Sequence, residues 1–63
     1  MKKVIFIDTE NKEIIHEDKH PKFIPKYGDF IKVKDISELF LVSSTVFNYE
    51  YEEIVCGVKK YAI

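Results

Sequence analysis

Two histidines lie four residues apart, at His16 and His20, and the carboxylates of Glu17 and Asp18 stand between them. On a helix this spacing would place both imidazoles on one face, where they could hold a metal ion. Pro21 follows His20 directly and disfavours a helix at this point. A structural zinc site also needs four ligands, usually with paired cysteines. We therefore predict two solvent-facing loop histidines, with no metal site and no cofactor.

Nucleophilic side chains are present, but their neighbours do not activate them. Cys56 lies among aliphatic residues in the run 54–58, whereas a reactive thiol needs a nearby cation or a helix N-terminus. The pattern is typical of a small buried hydrophobic residue. The hydroxyls of residues 43–45 would need an adjacent base and an oxyanion pocket. We interpret them as polar positions of a strand or a bend, and Gly57 as a bulge or a close backbone contact.

Three carboxylates, Glu50, Glu52 and Glu53, crowd what reads as a turn. Acid–base catalysis by paired carboxylates requires partial burial, which separates their pKa values, and a turn is solvated. The two glycines of the chain are too few for a glycine-rich phosphate loop. The sequence therefore predicts no catalytic residues and a protein that is not an enzyme.

Length and composition indicate a single domain spanning residues 1–63. A chain this short buries only roughly 60% of its unfolded surface, and one cysteine allows no internal disulfide. The core must therefore come from apolar side chains, including nine aromatic residues, or from a neighbouring subunit. The net charge is −1 and all ten basic residues are lysine, which argues against a dedicated nucleic-acid binder.

The N-terminal region begins like a signal peptide, but its apolar run covers only residues 4–7 and ends at Asp8. No apolar stretch approaches the roughly 20 residues needed to span a bilayer. An unpaired cysteine fits a reducing compartment. We expect a cytoplasmic protein that makes no use of a membrane.

Alternation of apolar and polar residues predicts five strands, at residues 3–8, 13–17, 30–34, 39–49 and 53–61. Polar turns at 9–12, 35–38 and 50–52 join them, and a longer loop at 18–29 contains both prolines. The fourth strand has a potential bend near Ser43 and Ser44.

The same alternation predicts the core. We expect inward positions on the first, third, fourth and fifth strands, with either Val4 and Phe6 or Ile5 and Ile7 contributed by the first. The other expected core residues are Ile31, Val33, Phe40, Val42, Ile54, Cys56 and Val58. A small antiparallel sheet of this kind twists and curls into a barrel, which hides its edges.

A family resemblance supports this fold class. The segment 25–33, in which Gly28 and Asp29 open a strand, together with residues 40–42, Tyr49 and 54–56, resembles small SH3-like barrels. It is similar in particular to short stand-alone accessory proteins of phages and mobile elements. The resemblance implies an all-β, five-stranded antiparallel meander curled into an SH3-like barrel. The chain has no tryptophan, so recognition of proline-rich ligands is not expected and no functional residue is transferred.

If the aliphatic residues point inward, then Phe30, Phe47 and Tyr49 alternate outward. We predict a non-enzymatic interaction module that binds a larger protein, such as a host protein modulated by a phage-type protein, or forms a homodimer. Coverage of these rings by the 18–29 loop is the alternative. The predicted partner-binding residues are Phe47, Tyr49, Glu50, Tyr51, Glu52 and Glu53.

A second hypothesis is a small nucleic-acid-binding barrel, since single-strand binders combine stacking rings with basic side chains. Here the ring would be Phe30, and the lysines would be Lys22, Lys26, Lys32 and Lys34. A structural subunit of a larger assembly is a third reading of the same composition.

Overall fold

The computed structural model describes residues 3–32 and 38–61. These residues form five strands in one mixed sheet that curls into a half-barrel, and the described ranges contain no helix. The strands are β1 (Lys3–Asp8), β2 (Glu13–Asp18), β3 (Phe30–Lys32), β4 (Leu39–Asn48) and β5 (Glu53–Lys60). The all-β fold class is confirmed, and across these two ranges no helix is long and apolar enough to cross a membrane.

Strand boundaries agree closely with the sequence pattern. Strand β1 has the predicted bounds, and β2, β4 and β5 differ from prediction by one residue at their C-terminal ends. The predicted end of the third strand, at Val33 and Lys34, lies outside the described residues, as does most of the turn predicted at 35–38. Local turn residues and alternation therefore locate the strands well.

The predicted antiparallel sheet is confirmed for three of its four strand pairings, and the fourth pairing is parallel, so the sheet is mixed. The strand order is β2-β1-β5-β4-β3, and β1 lies parallel to β5, with Val4 opposite Ile54 and Phe6 opposite Cys56. The other three pairings are antiparallel. Within the described residues, strands β2 and β3 stand at the two edges of the sheet and do not pair with each other. The parallel contact is possible because the chain from β2 to β4 provides the long connection that parallel neighbours require.

Two four-residue turns close the antiparallel hairpins. Lys12, with φ of 60°, is the last residue of the β1–β2 turn, and Glu52, with φ of 53°, is the last residue of the β4–β5 turn. The carboxylate of Asp8, which is only 6% exposed, accepts hydrogen bonds from Glu10 N at 2.9 Å and Asn11 Nδ2 at 3.3 Å. Asp8 therefore stabilises the first turn by pairing donors that would otherwise lack partners.

The core lies on the inner face of the curled sheet. Its predicted members on β4 and β5 are confirmed, and Val4 and Phe6 supply the contribution of β1. Ile31 packs against this cluster as expected, while Val33 lies outside the described residues. Ile5 is also buried, but it does not belong to the core cluster, because it faces the opposite side of the sheet beside Val55. Strand β1 thus packs on both of its faces.

A β-bulge interrupts β4 between Val42 and Ser44, at the predicted bend. The extra residue, Ser43, donates a hydrogen bond from Oγ to the carbonyl oxygen of Gly57 at 3.1 Å. The bulge reverses the alternation beyond it, so Phe47 lies opposite Ile54 and shares the inner face of the sheet. The prediction that Phe47 points outward is therefore wrong. Gly57, predicted to mark a bulge or a close backbone contact, lies opposite this bulge on the partner strand.

The 18–29 loop folds back over the inner face and docks on β4. The hydroxyl of Thr45 donates to the carbonyl oxygen of Pro25 at 3.1 Å, and Gly28 N donates to the carbonyl oxygen of Val42 at 2.9 Å. Val42 N in turn donates to the carbonyl oxygen of Asp29 at 2.8 Å. Gly28 has φ of 92°, a conformation that favours glycine. The loop is thereby attached to β4 on both sides of the bulge.

Candidate functional site

The turn between β4 and β5 presents three aromatic rings to solvent. Phe47 is 52% exposed, Tyr51 is 62% exposed and Tyr49 is 85% exposed. The rings of Phe47 and Tyr49 meet edge to face, with centroids 6.0 Å apart. We call these three residues, together with the exposed carboxylates of Glu50 and Glu52, the hairpin tip. The tip contains five of the six predicted partner-binding residues.

The sixth predicted residue, Glu53, is held in an ion-pair network. Lys3 Nζ lies 3.8 Å from a carboxylate oxygen of Glu53 and 3.3 Å from one of Glu17 on β2. Glu53 is half-buried, and its charge is partly neutralised by this lysine. For the described part of the chain, Glu50 and Glu52 form no ion pair, so their charges are free to meet a partner.

The loop leaves the hairpin tip uncovered. Its hydrogen bonds to β4 reach as far as Thr45, two residues before Phe47. Because Phe47, Tyr49 and Tyr51 are all more than half exposed, the loop does not cover these rings. The tip is an exposed aromatic surface on a pair of hydrogen-bonded strands.

The described residues of the nucleic-acid hypothesis lie on β3 and in the loop before it. Phe30 is 53% exposed, and its ring packs edge to face on Tyr61 with centroids 5.0 Å apart. Lys22 and Lys26 line a cavity in the 18–29 loop whose aromatic ring is Phe23. Lys32 is exposed on β3. Lys34 lies outside the described residues. Phe30 and Lys32 therefore share one face of β3, whereas Lys22 and Lys26 line the cavity that contains Phe23.

The two histidines have different surroundings. His20 is exposed in the loop after β2, as predicted. His16 lies within β2, is half-buried and stacks on Phe6 with ring centroids 6.0 Å apart, so the prediction of a solvent-facing loop residue is wrong for it. The reason is that His16 lies opposite Phe6 in the β1–β2 register and shares the inner face. Across residues 3–32 and 38–61, no group of three His, Cys, Asp or Glu side chains is arranged to hold a metal ion.

One feature of the surface was not foreseen from the sequence. An open cavity of about 460 Å³ lies in the 18–29 loop, and we call it the loop cavity. Its lining residues are Pro21, Lys22, Phe23, Ile24 and Lys26. The signal that could have found it is the apolar pair Phe23 and Ile24, which stands between two prolines and belongs to no strand.

Cys56 should be almost unreactive while the protein is folded. Its side chain is fully buried, and burial raises the pKa of the thiol above its ordinary value, although a hydrogen bond with Thr45 acts in the opposite direction. A raised pKa lowers the thiolate fraction at pH 8. We expect iodoacetamide to alkylate the folded protein at least about tenfold more slowly than the urea-unfolded protein, as followed by mass spectrometry. Equal rates in the two states would contradict the burial of this residue.

Comparison with known proteins gives no further guide, since no family model, curated protein or solved structure matches the chain. The interpretation of the hairpin tip therefore rests on its own geometry.

Proposed function

We propose that this chain is a non-enzymatic protein-interaction module that binds a larger protein through the hairpin tip. The observation that carries the proposal is the exposure of Tyr49 and Tyr51, at 85% and 62%, beside two carboxylates that form no ion pair with any described residue. Contiguous exposed apolar surface commonly marks an interface. Tyrosine is enriched among the residues that dominate binding energy, since its ring offers a large apolar area and its hydroxyl a hydrogen bond.

The strands below the tip hold the rings in place. Strands β4 and β5 remain paired up to the turn, with Val46 opposite Val55 and Asn48 opposite Glu53. Asn48 Oδ1 also accepts a hydrogen bond from Tyr51 N at 3.4 Å. A surface that is ordered before binding loses less conformational entropy when a partner docks. Tyrosine adds little to this cost, because it has only two side-chain torsions.

The charge of the tip favours a basic partner surface. Glu50 and Glu52 are both exposed and alternate with the tyrosines along the turn. Rim carboxylates of this kind steer a positively charged partner and accelerate association, an effect that salt weakens. The apolar rings would then contribute most of the affinity and the acids most of the orientation.

The finer parts of the proposal are that the half-barrel is an SH3-like scaffold and that the partner is a host protein. The Gly28–Asp29 pair before β3 and the curl of the sheet support the first part. The second part rests on the resemblance to phage-type and mobile-element accessory proteins. A buried, unpaired Cys56 is compatible with action in the cytoplasm. The nucleic-acid alternative draws less support, because the chain carries a net charge of −1 and two of its candidate lysines line a cavity with Phe23.

The test is a comparison of tyrosine variants. The wild-type chain is used to capture a partner from native host extract, the partner is identified by mass spectrometry, and its Kd is measured with purified components. We expect Tyr49→Ala/Tyr51→Ala to raise that Kd at least about tenfold while the thermal midpoint is unchanged, because both side chains are exposed.

Tyr27→Ala is the matched control for Tyr49→Ala, since Tyr27 is 82% exposed but lies in the loop. It should bind the partner as the wild type does. Full affinity in the double variant would remove the hairpin tip from the interface.

A further inference from the structure

The loop cavity has the chemistry of a binding site for an acidic aromatic segment. Pro21, Phe23 and Ile24 give it an apolar lining, and Phe23 is 72% exposed. Lys22 and Lys26 stand in the same lining and are exposed. Among the described residues, neither lysine takes part in an ion pair. A volume of about 460 Å³ falls within the range of ordinary ligand cavities.

Hydrogen bonds fix the loop around this cavity. The segment after Ile24 is attached to β4 through the carbonyl of Pro25, and Pro25 is buried. Lys26 N donates to Asp29 Oδ2 at 2.8 Å, and Asp29 N donates to the carbonyl oxygen of Lys26 at 3.0 Å. One side of the cavity is therefore preformed, which lowers the entropic cost of filling it.

The chain itself carries a segment with the complementary chemistry. At the hairpin tip, Tyr49 and Tyr51 alternate with Glu50 and Glu52. An aromatic ring fits an apolar lining, and the flanking carboxylates can pair with the two lysines of the cavity. The tyrosines remain exposed within one molecule, so the tip does not fill the cavity of its own chain.

We propose that the loop cavity binds the hairpin tip of a second copy of this chain. The proposal goes beyond the proposed function, because it assigns a second surface and a defined occupant. In a two-fold arrangement the contact forms twice, with each tip in the other copy's cavity. A tip held in this way cannot bind another protein, so self-association competes with partner binding.

Charge reversal with purified protein tests the proposal by sedimentation equilibrium. At about 100 µM chain, where a micromolar contact is largely formed, we expect a mass above the 7.5 kDa of one chain, falling as salt rises. Lys22→Glu/Lys26→Glu places acids in the cavity opposite an acidic tip. Glu50→Lys/Glu52→Lys places bases on the tip opposite a basic cavity. Each variant should weaken self-association at least about tenfold.

The most discriminating measurement is the association of the two variants when they are mixed. One contact between them is the wild-type contact and the other is its charge-reversed form, so the mixture should associate although neither variant does alone. The control is Lys12→Glu/Lys59→Glu, which reverses two exposed lysines outside the 18–29 loop and should associate as the wild type does. Circular dichroism of each variant checks that the fold is retained.

Three results would overturn the proposal. These are a wild-type chain that stays monomeric, a mixture that fails to associate, and control lysines that matter as much as those of the cavity. A monomeric chain that binds a labelled peptide of residues 47–53 through Lys22 and Lys26 would assign the cavity to a segment of another protein instead. None of these results bears on partner capture by the tip, so the two proposals fail separately.

Discussion

Replacing Phe40 with alanine is expected to leave most of the protein unfolded at room temperature. Phe40 is 3% exposed and belongs to the core cluster, where Ile31 lies opposite it on β3. Truncation of a buried phenylalanine to alanine costs about 3–5 kcal/mol, because contacts are lost and a cavity remains. A core of this size supplies only about 3–5 kcal/mol of net stability. Circular dichroism with urea denaturation would show the loss of the strand signal and of the cooperative transition.

Phe23→Ala is the matched control, since it makes the same chemical change at a side chain that is 72% exposed. It should change the free energy of unfolding by less than about 1 kcal/mol. Phe40→Leu should lower the free energy of unfolding by less than Phe40→Ala, because it removes less buried surface. Its cooperative unfolding transition should therefore remain measurable. Equal costs at Phe23 and Phe40 would mean that the core does not lie where the structure places it.

The strand positions and the inner face could be predicted from the sequence because both depend on local signals. Alternation identifies the buried side of each strand, and turn residues mark the ends. Val42, Cys56 and Val58 are fully buried, as expected. Alternation along a strand assigns each residue to one face of the sheet. That assignment does not depend on which strands lie on either side.

The neighbours of each strand could not be predicted in the same way. Strand β1 is apolar on both faces, which indicates a central position but does not identify the strand beside it. The parallel pairing of β1 with β5 joins residues about fifty positions apart, from Val4 with Ile54 to Asp8 with Val58. No turn specifies that register, since it depends on how the intervening chain packs.

A single inserted residue explains the error at Phe47. Strict alternation from Val42 places Phe47 outward, but the bulge at Ser43 moves it to the inner face. The bulge could be suspected from Ser43, Ser44 and Gly57, yet its effect on every later residue of β4 is visible only in the register. Phe47 nevertheless stays 52% exposed, since it lies beyond the end of the core.

The candidate site was predictable in part for the same reason. The hairpin tip is a turn, and residues of a turn are exposed wherever the sheet packs, so Tyr49 and Tyr51 follow from sequence position. The loop cavity depends on the path of residues 18–29 across β4. That path is set by the contact of Thr45 with Pro25, which joins residues 20 positions apart. The cavity is lined by side chains of one loop, but its shape depends on this hydrogen bond to a distant strand.

A large loss of stability is also expected when Gly57, which lies opposite the bulge, is replaced by alanine. This residue is buried opposite Ser44, and a Cβ atom placed on it would lie 2.5 Å from Ser44 Oγ and 2.9 Å from Thr9 Cγ2. Thr9 is held in place, because its hydroxyl donates to the carbonyl oxygen of Val58 at 3.3 Å. We expect Gly57→Ala to lower the free energy of unfolding by about 1–3 kcal/mol, the usual cost of overpacking. Urea denaturation would measure this loss.

A double-mutant cycle separates this steric cause from a general intolerance of change in β5. Ser44 is exposed, so Ser44→Ala alone should alter stability by less than about 0.5 kcal/mol. In the Gly57→Ala background the same change removes the nearest atom, and it should recover part of the loss, since contact with Thr9 remains. Additive effects at Gly57 and Ser44 would show that the two do not meet. That result would contradict the bulge assigned at Ser43, and with it the assignment of Phe47 to the inner face.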